Sequence, residues 1–243
     1  MLSAALQLDV RLCSREENIR RALRLAEPAV EGGAEIVVLP ELFLTGFCYR
    51  KGASDCPPYP SLAPLRDFVE EHRCMLIGSL IDGRLNLGFC LEPGHIGFQP
   101  KVHPFGPEKR YFDGGDRISP LETAWGKVGL EICYDIRFPE VARKLTLDGA
   151  DYLVTIAQFP SQRRDQWRCL CLARAVENQT PHIACNCPGP EFCGSSMIVD
   201  SAGGILAEAG SDEGFILGEI DLGHRDRTRE MIPCLEDRRP KLY

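Results

Sequence analysis

Cys133 ends an apolar, strand-like run at residues 128–132, and the residues that follow it read as the opening of a helix. A thiol at such a junction is held by the scaffold yet reachable at a sheet edge. Helix-start N–H groups beside it favour the thiolate and can bind a developing oxyanion. A nucleophilic cysteine needs a base, and a second run, 36–40, ends directly on Glu41. A third run, 152–157, leads into Gln158-Phe159-Pro160. Ligands of open α/β sheets gather beyond the carboxyl ends of strands, so a carboxylate and a thiol at two such ends can face each other. The apolar neighbours in Pro40-Glu-Leu-Phe-Leu-Thr-Gly-Phe47 favour a semi-buried Glu41 over a surface one. Lys101 follows a further β run, and Glu108 stands seven residues on. By spacing alone both read as surface charges.

The elements that must carry these groups alternate along the chain. Residues 2–10 read as a strand, and 15–32 place Ile19, Leu23, Ala26 and Val30 at helical spacing before Gly32-Gly33 ends the helix. Residues 35–40 form a short buried strand, 64–73 a helix, 75–81 a strand, and 85–92 and 96–99 two β segments around the turn Glu92-Pro-Gly-His95. A turn at Gly126 and a strand occupy 124–132, followed by a helix at 138–147, a strand at 152–157 and a long helix at 162–177. Strands at 182–186, 196–200, 204–207 and 215–220 complete the set, and the tail 238–243 has no regular pattern. No repeat or linker divides the chain, so residues 1–243 are read as one α/β domain. About ten or eleven strands strain a single open sheet, so two sheets with helices outside are expected.

Composition narrows the function classes. With 243 residues and 44% of them apolar, the chain can build a sizeable core. A net charge of −7 with scattered Lys and Arg argues against a nucleic-acid partner. No apolar run reaches the roughly 18–20 residues of a membrane span. The first residues lack a basic stretch and meet Asp9 early, so a strand and a cytoplasmic location are expected rather than a signal peptide. Twelve cysteines call for a metal check. No Cys-x-x-Cys occurs and the five histidines do not cluster with them, so no metal or other cofactor is expected. Apart from Cys133, the cysteines read as free, small hydrophobes of the interior.

The motifs then fall into one order: Leu39-Pro-Glu41 with Thr45-Gly-Phe47, Lys101-Val-His103 with Phe105, Glu108 before Phe112, and Cys133-Tyr-Asp-Ile-Arg-Phe-Pro-Glu140. Trp167, Arg174-Ala-Val-Glu-Asn-Gln179, Ser196-Met-Ile-Val-Asp200 and the ending Arg238-Arg-Pro-Lys-Leu-Tyr243 follow. In these, over almost its whole length, the chain resembles the nitrilase superfamily of carbon–nitrogen hydrolases. It is most similar to the branches holding ω-amidase and deaminated glutathione amidase. The resemblance implies a four-layer αββα sandwich, a Glu-Lys-Cys triad at Glu41, Lys101 and Cys133, a second glutamate at Glu108, and homodimers or larger homo-oligomers.

The chemistry so implied is hydrolysis of a small carboxylate-bearing amide through a cysteine thioester, with release of ammonia. Glu41 acts as base and acid, while Lys101 and the Tyr134 backbone N–H hold the oxyanion. Glu108 supports Lys101 or the substrate nitrogen. An N-carbamoyl amino acid or deaminated glutathione amidohydrolase, and a non-catalytic binding protein of the same fold, are the alternatives. The chain departs from the family pattern in the short segment 186–193, where Cys187 replaces a common arginine, in the compact region before Lys101, and at two pocket positions. Phe159 replaces the usual Trp as an aromatic wall of the substrate pocket, and Gln166 replaces the usual His before Trp167. Arg137 and Glu140, beside Cys133, read either as a site for a substrate carboxylate or, more often for such a charged pair, as the lock of a helix start or a subunit contact, while Arg174 and Glu177 read as structural.

Overall fold

The structure, a computed structural model, describes residues 1–50 and 52–242. Its strands form two six-stranded sheets. The first contains β1 (Leu2–Gln7), β2 (Ile36–Val38), β3 (Met75–Asp82), β4 (Leu85–Glu92), β5 (His95–Pro100) and β12 (Gly214–Glu219), in the order β12-β1-β2-β3-β4-β5. The second contains β6 (Leu121–Thr123), β7 (Gly126–Ile132), β8 (Tyr152–Ala157), β9 (His182–Asn186), β10 (Met197–Val199) and β11 (Ile205–Glu208), in the order β11-β10-β9-β8-β7-β6.

Residues alternate across each strand, so a strand buried on both faces needs apolar side chains throughout. The central parallel strands meet this condition. Ala4, Leu6, Val37 and Leu76 turn outward toward α1 (Arg15–Glu31) and α2 (Ala63–His72), and pack with Ile19, Ala22, Leu65 and Val69. Ala5, Ile36, Val38 and Ile77 turn the other way and meet Leu130, Ile132, Val154 and Ile156 of the second sheet. Beyond that sheet, Val141, Ala142 and Leu145 of α3 (Pro139–Leu147) cover Leu153, and Trp167, Cys171 and Ala175 of α4 (Arg164–Asn178) join its core. The layers therefore run helix, sheet, sheet, helix, the αββα order that the resemblance implied. Gly88 on β4 permits the close approach of the sheets, because a Cβ there would stand 2.8 Å from Leu130 Cδ2 and 3.0 Å from Ile132 Cδ1.

Topology brings four reactive residues to one end. β1, β2 and β3 are parallel, as are β7, β8 and β9. β4 is antiparallel to both β3 and β5, so β5 runs in the direction of β3 and delivers Lys101 to the edge where β2 delivers Glu41.

Several elements differ from expectation. β6 and α5 (Leu222–Met231) carried no readable pattern: β6 is three residues long, and α5 buries no residue and so shows no apolar stripe. The first strand stops at Gln7 rather than residue 10, and residues 161–163 form a 3₁₀ turn before α4. Within the tail, Pro240–Leu242 form another such turn, while Tyr243 lies outside the described residues. The cysteines also require a correction. Ten are free, but Cys13 and Cys48 are joined in a disulfide, their Cα atoms 5.2 Å apart. Both lie on loops that the fold brings together, and no motif spacing marks such a pair.

A buried polar chain crosses the second sheet, starting on β7 two residues before Cys133. Glu131 Oε2 lies 3.2 Å from Thr155 Oγ1, which lies 2.8 Å from His182 Nε2, and His182 Nδ1 lies 3.0 Å from the Cys171 carbonyl oxygen. Burial pushes Glu131 up to about 8 and His182 down to about 4, so both are neutral near pH 7. The donors then run one way: Glu131 hydroxyl to Thr155, Thr155 to His182, His182 Nδ1–H to Cys171. Because the folded Glu131 holds its proton at a higher pH than a free carboxyl, its contribution to stability is complete below about 4.5 and lost as pH rises through about 8. In Glu131→Gln the amide replaces the hydroxyl as donor. The fall in unfolding free energy between pH 6 and 9, measured by urea denaturation, is expected to be about 3 kcal/mol smaller in this variant than in wild type. Parallel pH profiles would remove Glu131 as its source.

Candidate active site

Glu41, Lys101 and Glu108 meet beyond the strand ends of the first sheet. Lys101 Nζ lies 2.7 Å from Glu41 Oε1 and 2.7 Å from Glu108 Oε2, and it is 1% exposed. A cation so deeply buried persists only when paired on several sides. Glu41 Oε1 also accepts from Asn86 Nδ2 at 2.7 Å, while Oε2 accepts the longer Gln158 N–H bond at 3.2 Å. Oε2 is therefore the oxygen left with capacity to take a proton. Asn86 links the pair a second time, since its carbonyl accepts the Lys101 N–H at 2.9 Å. A polar residue inside the apolar strand β4 was the sequence signal for Asn86, and sequence reasoning missed it.

Cys133 opens a 3₁₀ turn, Cys133–Arg137, directly after β7, and α3 begins only at Pro139. Its φ of +50° is a left-handed conformation that costs a non-glycine residue energy and turns the side chain out of the strand direction. Asp135 holds this turn. Its Oδ2 accepts the Ile132 N–H at 3.2 Å and the Val102 N–H at 3.2 Å, while Oδ1 accepts the His103 N–H at 2.8 Å. His103 Nδ1 lies 2.8 Å from the same Oδ1, and its ring stacks on Phe138 at 3.7 Å. The segment after Lys101 is thereby tied to the segment carrying Cys133, one from each sheet. Tyr134 is the second residue of the turn, where an N–H has no partner within the turn itself.

Cys133 and Glu108 line a cavity of about 130 Å³. Phe47, Phe105, Tyr134 and Phe159 form its apolar walls, and Arg137 and Arg163 complete it. All four proposed catalytic side chains thus belong to one site, with Tyr134 and Phe159 beside the sulfur. Burial, then the charge of Glu41, pushes the Cys133 thiol well above its ordinary value, with Lys101 opposing, so the resting sulfur is a neutral thiol rather than a thiolate. Such a thiol needs a base at the moment of attack.

The sequence profile of the carbon-nitrogen hydrolase family spans residues 2–230 of this chain. The chain belongs to the carbon-nitrogen hydrolase family. It is 34% identical to a 2-oxoglutaramate amidase of Bacillus subtilis over 99% of this chain and 98% of that protein. To an omega-amidase of Xenopus tropicalis it is 33% identical, over 94% and 92%. A solved amidase mutant from Nesterenkonia sp. AN1 superposes with a TM-score of 0.85 at 26% identity, covering 100% of this chain and 95% of that one. That structure shows the acetamide moiety of fluoroacetamide added covalently at its active-site cysteine. This hydrolase is accordingly a cysteine-dependent amidase, and the alternative of a non-catalytic binding protein is not favoured.

Within the amidase, burial raises Lys101's cost of charge, but the carboxylates Glu41 and Glu108 outweigh it and hold the ammonium charged well above the ordinary range. Burial and the neighbouring Glu41 push Glu108 up to about 7, against the pull of Lys101. Ionised Glu108 grips Lys101 as a charged acceptor; protonated, it does so weakly. The acid limb of kcat/KM is therefore expected to turn near pH 7. Glu108→Gln, fixed in the protonated-like state, is expected to be slow and nearly flat from pH 6 to 8. A wild-type acid limb persisting in that variant would assign the limb to another group.

Of the two readings of Arg137, the charged pair with Glu140 is the one that the structure does not form. Arg137 Nη2 donates to Gln166 Oε1 at 2.8 Å and the guanidinium lies 5.1 Å from the Phe159 ring centre. Glu140 instead borders a separate cleft with Arg143, Glu177 and Arg238. Arg174 is structural as expected, its Nε and Nη2 donating to the Ile136 carbonyl at 2.9 and 2.6 Å behind the catalytic turn. Among the described residues no three His, Cys, Asp or Glu side chains stand together as a metal site, and no helix is long and apolar enough to cross a membrane.

Proposed function

We propose that this amidase hydrolyses the terminal amide of a short 2-oxo carboxylate, an ω-amide of the 2-oxoglutaramate kind. The observation that carries this reading is the pair of guanidiniums at the cavity. Arg137 rests on Phe159 and Arg163 lies 5.3 Å from the Phe105 ring centre, and neither forms an ion pair among the described residues. An arginine fork left without a carboxylate beside a nucleophile suits a carboxylate on the substrate. A cavity of about 130 Å³ suits a small one. The names of the relatives from Bacillus and Xenopus agree with this choice.

In the proposed cycle, Glu41 takes the Cys133 proton as Sγ bonds to the amide carbon. The carbonyl electrons move to oxygen, where Lys101 Nζ and the Tyr134 N–H stabilise the charge. Collapse breaks the C–N bond, Glu41 returns the proton to the departing nitrogen, and ammonia leaves. Glu41 then deprotonates a water that attacks the thioester carbon, and collapse frees the acid and regenerates the thiol. Glu108 keeps Lys101 in place throughout. We further place the enzyme in the cytoplasm as a homodimer or larger homo-oligomer of single-domain chains. The Cys13–Cys48 bond runs against a reducing compartment, and alkylation during lysis, which labels both residues there, tests that placement.

The test of the activity is ammonia release from 2-oxo ω-amides, glutamine, N-carbamoyl amino acids, neutral aliphatic amides and nitriles. The 2-oxo ω-amide is expected to lead in kcat/KM by at least tenfold. Faster turnover of a carbamoyl compound would overturn the assignment.

A further inference from the structure

We infer that Gln166 is a specificity-determining positioning residue: its side-chain amide holds Arg137 against Phe159 as an un-neutralised cation at the cavity, and so sets the preference for anionic over neutral amides. The inference rests on the carboxylate reading above and adds a residue to it.

The platform beneath Arg137 is rigid. Trp167 is fully buried, donates its indole N–H to the Ser195 carbonyl at 2.9 Å, and packs 5.2 Å from the Phe159 ring. Phe159 is buried and its backbone N–H donates to Asn186 Oδ1 at 2.7 Å. Gln166 precedes Trp167 in the first turn of α4, so the buried indole fixes where the Gln166 side chain starts. The guanidinium over Phe159 has its ring contact from below and one hydrogen bond, from Nη2 to Gln166 Oε1, at the side. A guanidinium has five N–H donors, so most remain for a ligand.

The chemical identity of the partner decides the outcome. Other arginines of this chain meet carboxylates: Arg84 bonds Asp113, Arg174 bonds Glu177, and Arg168, two residues beyond Gln166, bonds Glu208 at 2.9 Å. A carboxylate at position 166 would orient Arg137 equally well but cancel its charge. The glutamine carbonyl orients it and leaves a full positive charge for the substrate. Phe159 and Gln166, two of the positions at which the chain departs from its family pattern, both contact Arg137. These two departures act together on one side chain.

The experiment compares 2-oxoglutaramate with a neutral amide of similar length, pentanamide, in wild type, Gln166→Glu and Gln166→Leu. Wild type is expected to prefer the anion by at least tenfold in kcat/KM. Gln166→Glu is expected to cut that ratio at least tenfold, through a raised KM for the anion. Gln166→Leu, which frees the guanidinium without neutralising it, is expected to cut the ratio several-fold. A damaged fold would lower both substrates together and leave the ratio, which is the quantity read. A wild type without anion preference removes the carboxylate reading, and the inference with it. A wild type with the preference, and both variants within twofold of its ratio, overturns the role of Gln166 alone.

Discussion

Cys133→Ala is expected to lower amide turnover by about 10⁴-fold or more while leaving the fold in place. The physical case rests on what remains. Lys101 keeps both carboxylates at 2.7 Å, Asn86 keeps its bond to Glu41, and Asp135 still closes the turn, since none of these contacts uses the sulfur. In the proposed cycle the lost sulfur is the atom that bonds to the amide carbon. Removing one small buried side chain is expected to cost about 1 kcal/mol of stability. Wild type with a slow substrate should show an acyl mass on Cys133 in intact-mass measurement, and the alanine variant should not. Activity above a few per cent in Cys133→Ala would refute the nucleophile.

Lys101→Met is the second large effect, and it acts on both stability and rate. Methionine fills similar volume but leaves Glu41 and Glu108 facing each other without a cation. Removing one partner of a buried charge network costs about 3–5 kcal/mol. The loss of one oxyanion donor adds about 2.7–4 kcal/mol to the barrier, a rate decrease of about 10²–10³. The sign with pH is fixed by the same charges. Without Lys101, Glu108 is harder still to ionise when folded, so the stability deficit shrinks as pH falls and it protonates. Adding Glu41→Gln to Lys101→Met removes one of the two opposed charges. The double variant is therefore expected to be more stable than Lys101→Met alone, a coupling that a double-mutant cycle reads directly. Additive losses would mean that the ammonium and Glu41 do not depend on one another.

Much of this site was legible in the chain because the signals are local. Period-two and continuous apolar runs announced the strands, and the residues ending them, Glu41 and Cys133, stood where a sheet presents its ligands. Lys101 and Glu108 were not legible that way. Each resembles a surface charge by spacing, and only the order of motifs along the whole chain singled them out. The resting state of Cys133 was not legible that way either. A strand–helix junction suggests a thiolate, but the sulfur's protonation follows from burial and from Glu41, 92 positions away in the chain.

The reaction type and the layer architecture thus reside in short segments whose chemistry and periodicity can be read in isolation. The partnerships reside elsewhere. Asn86 reaches Glu41 across 45 positions, Asp135 binds His103 across 32, and Arg137 finds Gln166 across 29. Cys13 pairs with Cys48 across 35. A hydrogen bond or ion pair depends on ångström distances between groups, and those are set by how two sheets and their helices pack, not by any neighbouring residue type. Hence the surroundings of Cys133 in the chain raised it as a candidate, and the order of motifs added Glu41 and Lys101, while its protonation and the arginines left without a carboxylate at the cavity followed only once the sheets were face to face.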